Sequence, residues 1–84
     1  MDRDQILEEA NTIEDKLGDM KFTLDVLTDE IRALKNETEK AQKNAKRHKT
    51  WYEEILNKLE DAENKCMDAY DNLDEAQTNL EFET

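Results

Sequence analysis

The feature that most limits what this chain can fold into is a seven-residue repeat running almost from end to end. One row of the repeat, called a, holds Ala10, Leu17, Leu24, Ile31, Thr38, Ala45, Tyr52, Leu59, Cys66, Leu73 and Leu80. The other, d, holds Ile6, Ile13, Met20, Leu27, Leu34, Ala41, His48, Ile55, Ala62, Ala69 and Ala76. Of these 22 positions 20 are hydrophobic, against 36 % for the whole chain, and the exceptions are Thr38 and His48. An unbroken period of 3.5 predicts helices wound about each other with a left-handed twist. A lone helix cannot bury so narrow a stripe, so the repeat demands partner helices.

The expected fold is therefore all-α: a single long helix per chain, about 126 Å at 1.5 Å per residue, forming a left-handed coiled coil. Parallel homodimers are the first expectation and an antiparallel dimer the second. In the antiparallel case every a residue meets a d residue when their numbers total 86. The seam spans 6–80 within a single segment, 1–84, and the acids near the end, Glu81 and Glu83, suit a frayed terminus or a piece of a longer rod. With no proline, one glycine and no Asn-Gly, Asp-Gly or Pro-Gly pair, nothing in the sequence signals that the chain folds back. The charged fraction of 42 % would also fit disorder, and the periodicity decides against it.

Charge divides the chain into zones. Residues 1–34 are acidic, 35–49 carry a basic collar (Lys35, Lys40, Lys43, Lys46, Arg47 and Lys49) over a weak core of Ala41 and Ala45, and 50–84 are acidic again. These alternating zones resemble, in composition alone, those of muscle-type and cytoskeletal rods. Near the N-terminus Asp2 or Asp4 suits a helix cap. Gly18 falls on an outward position, where it reads as a tolerated surface glycine. His48 reads as a polar layer that fixes register, since no second His, Cys or carboxylate accompanies it to bind a metal.

The chemistry of an enzyme is missing. The chain has no glycine-rich phosphate loop, Cys-x-x-Cys or His-Glu-x-x-His, and carboxylates on an exposed helix are solvated. No cofactor or metal is expected. Leu59, Leu73 and Leu80 behind NAKRHK invite a leucine-zipper reading. The residue spacing of a DNA-gripping basic region is absent, however, and the net charge of −11 opposes nucleic acid. No apolar run reaches the ~18 residues of a membrane span and no signal-peptide core follows Met1. A single cysteine fits a reducing, cytoplasmic setting.

These observations point to a structural oligomerisation or spacer coiled coil of a cytoskeletal, motor or tethering protein, with the chain itself as partner. The alternative is an adaptor that recruits another protein. Its contact would be the basic collar, the Trp51–Leu56 patch beside Tyr52 and Ile55, or the outer pair Phe22 and Val26.

Overall fold

A computed structural model describes residues 2–81, which form two α-helices, α1 (Arg3–Asn44, 42 residues) and α2 (Lys49–Asn79, 31 residues). The molecule is 67 Å long and 19 by 14 Å across, with the helices antiparallel. The single unbroken helix expected from the repeat is therefore corrected to a hairpin. Glu83, invoked for a frayed end, lies outside the described residues.

Capping opens α1, and crowded like charges mark where it ends. Asp2, rather than Asp4, caps α1. Its carboxylate accepts from the Gln5 N–H at 2.9 Å, while the Gln5 side chain accepts from the Asp2 N–H at 3.1 Å. This reciprocal pair satisfies two donors that the first turn leaves free. At the other end α1 stops where the basic collar crowds like charges at helical spacing: Lys43, Lys46, Arg47 and Lys49. The small side chains of Ala41 and Ala45 offer little packing to hold a helix together against that repulsion.

The turn needs neither glycine nor proline. Ala45 is extended (φ −75°, ψ 136°) and His48 is left-handed (φ 65°, ψ 23°). Among non-glycine residues histidine is one of those that tolerate this region. His48 is thus an exposed turn residue, not a polar layer of the seam. Gln42 ties the turn shut, since its side-chain amide donates to the Glu53 carboxylate at 2.8 Å and to the Lys49 carbonyl at 3.4 Å. The Trp51 and Tyr52 rings sit edge to face 5.3 Å apart at the start of α2.

The turn centres between Lys46 and Arg47, and that midpoint sets the register. Layers of the repeat face each other where their numbers total 93, one heptad beyond the 86 of the expected antiparallel arrangement. Met20 with Leu73, and Leu24 with Ala69, accordingly line one groove. Polar partners on the flank total 95: Lys21–Asp74, Arg32–Glu63 and Gln42–Glu53.

Inward-facing residues of α1 come from two rows. The a row contributes Ala10, Leu17, Leu24, Ile31 and Thr38, and the next row round, e, contributes Leu7, Glu14, Lys21, Thr28, Lys35 and Gln42. From α2 the a, d and e rows are all partly buried. Ala10, Thr28 and Thr38 are the buried residues among those described, and no large side chain is fully enclosed. The buried threonine hydroxyls donate to the carbonyls one turn back, Leu24 and Leu34, each at 2.7 Å. Gly18 is not a surface position. A Cβ there would lie 3.1 Å from the Gln77 amide, which donates to the Glu14 carbonyl.

Candidate interaction surface

Because α1 turns its a and e rows toward α2, the two long edges of the hairpin differ. One edge is bridged by polar side chains, beside a cleft lined by Asp25, Thr28, Arg32, Met67 and Tyr70. Glu63, only 13 % exposed, accepts from Arg32 at 2.7 Å and from Lys35 at 3.0 Å. The Lys35 bond, then the Arg32 bond, holds its carboxyl below the usual glutamate range. Farther along, Lys21 reaches Asp74 at 2.6 Å and the Gln77 side chain at 3.0 Å, and its ammonium lies 5.1 Å from the centre of the Tyr70 ring. The Asp74 bond raises its pKa, since it favours the charged form.

The other edge is open. Here the d row of α1 runs along the mouth between the helices, and Ile6, Ile13, Met20, Leu27 and Leu34 are between 41 and 53 % exposed. Where α2 passes beneath this row its own d residues are Ala62, Ala69 and Ala76, all partly buried. Large residues on one rim and alanines on the other leave a groove of about 550 Å³, lined by Asp19, Met20, Thr23, Leu24, Ala69, Asn72 and Leu73. Such a row is far more apolar surface than single exposed hydrophobics would make.

Other expected seam residues divide between these edges and the turn. Leu17, Leu24 and Ile31 from the first half face inward, as do Tyr52, Ile55, Leu59, Cys66, Leu73 and Leu80 from the second, while Ala41 on the d row and Ala45 in the turn are partly buried. Of the expected partner-binding residues, Phe22 is 70 % exposed and borders a shallow cleft with Val26 and Leu27 on the outer face of α1. Trp51 is 55 % exposed and shares a cleft with Tyr52 and His48 at the turn. Leu56 lies partly buried, supporting the hairpin instead of standing beside Trp51 on the surface.

The e row escaped the sequence reading. Its signal was present in Leu7, Leu56 and Tyr70, large side chains at e positions where a two-stranded seam wants charge. Among the described residues no cluster of three or more His, Cys, Asp or Glu side chains is placed to hold a metal, and no helix is long and apolar enough to cross a membrane. No protein-family model, curated protein or solved structure matches the chain.

Proposed function

We propose that this chain is a structural association module, a helical hairpin whose task is to hold protein chains together as an oligomerisation or spacer element of a cytoskeletal, motor or tethering protein. The observation that carries the reading is the open edge: five large apolar residues stay about half exposed while the hairpin encloses no large side chain of its own. A domain that small and that thinly packed gains its missing burial from another helix surface. The lone, partly buried Cys66 is compatible with the reducing cytoplasm.

The test is the pair Met20→Asp and Leu27→Asp, made together, with bis-ANS binding and thermal melting as readouts. If the row is an interface, wild-type chain either binds the dye, because the row is uncovered, or melts well above the double variant, because the row is covered. A wild type that neither binds dye nor differs from the variant in melting makes the row ordinary surface, and the reading falls.

An adaptor role is favoured by a different observation, the 70 % exposure of Phe22 beside Val26 and Leu27. An aromatic so placed offers an anchor to a second protein, in a cleft that shares Thr23 and Leu27 with the open edge.

A further inference from the structure

We infer that the open edge is covered by a second copy of this chain, related to the first by a two-fold axis parallel to the helices, giving a four-helix bundle. This rests on the association reading above and names its partner. Three features of the edge select that occupant.

The first is size. In the hairpin register, where level residues total 93, Ala76, Ala69 and Ala62 are level with Leu17, Leu24 and Ile31, so along the axis Met20 stands between the heights of Ala76 and Ala69, and Leu27 between those of Ala69 and Ala62. A rotation about the long axis keeps every residue at its own height and places α1 of one copy on α2 of the other. Met20 then enters the space between Ala69 and Ala76 of the second copy, and Leu27 the space between Ala62 and Ala69. Large side chains of one copy thus interdigitate with small ones of the other. A two-fold axis across the helices would instead set α1 on α1, stacking leucine and methionine on themselves, and α2 on α2, leaving alanine opposite alanine. Helix separation follows the side chains at the contact, within about 8–10 Å, so two rigid hairpins would meet large layers and small layers at different spacings.

Charge supplies the second feature. The chain as a whole has a net charge of −11, yet the rows that form and flank this edge between Ile6 and Asn79, with Asp19 at the groove, hold four acids (Glu9, Asp19, Glu30 and Glu37) and three bases (Lys16, Lys58 and Lys65). They come close to balancing, so two copies can approach through this edge against little of the chain's overall repulsion. Glu30 is level with Lys65, and Glu37 with Lys58. Within one chain these cross-groove pairs are not made, for Lys65 reaches Asp61 and Glu37 reaches Lys40 along their own helices. The long-axis rotation brings each acid over the corresponding lysine of the other copy.

Area is the third. The paired stretch, about 45 Å long for a helix of 31 residues, is 19 Å wide, which presents roughly 850 Å² per copy. A stable interface needs about 800 Å² from each partner.

The experiment is sedimentation equilibrium of the full chain, which should show twice the chain mass of 9.9 kDa at micromolar concentration. Lys58→Glu with Lys65→Glu in one chain, and Glu30→Lys with Glu37→Lys in another, should each weaken self-association roughly 30-fold or more, judged from the usual strength of surface ion pairs. Mixing the two chains in equal amounts should restore a dimer, because each acidic row then meets a basic one. Circular dichroism confirms that each variant keeps its helices. If either charge variant unfolds, Leu27→Ala in one chain and Ala69→Leu in another serve instead, since the mixture again pairs large with small and should associate more tightly than either alone. A chain that is monomeric at all concentrations but binds the dye overturns self-pairing while leaving the association reading intact. A dimer indifferent to both exchanges overturns the axis, as does one in which mixing restores nothing.

Discussion

At the residue scale the polar edge shows how a few side chains align two helices that bury little. Glu63 receives both Arg32 and Lys35 from α1, and so fixes α2 against rotation and sliding at that point. The carboxyl has a folded pKa below its unfolded value of about 4.3, so its stabilisation is present above that value and is lost as the pH falls through the folded one. Glu63→Gln should therefore melt a few degrees below the wild type at neutral pH, a modest gap because the Arg32 side chain is 52 % exposed. Between neutral pH and about pH 2 the gap should shrink, as the carboxyl takes up its proton. A gap of the same size at both values would mean that the bonds to Glu63 contribute nothing through its charge. Gln42 acts alongside it at the turn, where a neutral side chain bridges the end of α1 and the start of α2.

At the scale of elements, the break between α1 and α2 rests on one residue in an uncommon conformation. His48 holds a positive φ of 65°, which costs a residue with a Cβ about 1–2 kcal/mol. His48→Gly should relieve most of that and raise the stability by a few tenths to about 1 kcal/mol, the gain being reduced by the extra freedom of glycine in the unfolded chain. Were the chain one continuous helix, the same change would put glycine in its interior and lower stability by up to about 1 kcal/mol. Chemical denaturation of the two proteins reads the sign directly, and a loss of stability would contradict the turn. The helices themselves are ordinary, each long and amphipathic, with a reciprocal cap at Asp2 opening the first.

For the whole molecule, the hairpin brings the two ends of the chain's repeat side by side. Fluorophores at Asp15 and Thr78, both exposed, should lie within about 20 Å of each other across a helix pair spaced at the usual 8–10 Å. In a continuous helix the same two positions would stand about 95 Å apart. Doubly labelled chain diluted into a large excess of unlabelled chain should show near-complete energy transfer. If transfer disappears on dilution, the antiparallel contact is between chains and the hairpin is wrong.

The sequence by itself determined that this protein is helical, because periodicity is a local property that each residue reports; it put a parallel pairing first, and the antiparallel register it offered second, totalling 86, is one heptad short of the hairpin's 93. It also marked residues 35–49 as the weak stretch, and the turn lies there. Two things were settled only in three dimensions. Whether the weak stretch bends or stays helical depends on a balance between crowded like charges, a strained His48 and the contacts won by α1 and α2 on meeting, and no local turn signal records that balance. Which rows face inward depends on the rotation of α1 about its axis, which moved Lys21, Thr28 and Lys35 in and left Ile13, Met20 and Leu27 at the rim. The heptad alone treats the two seam rows as equivalent; only packing against the alanine-lined face of α2 told them apart.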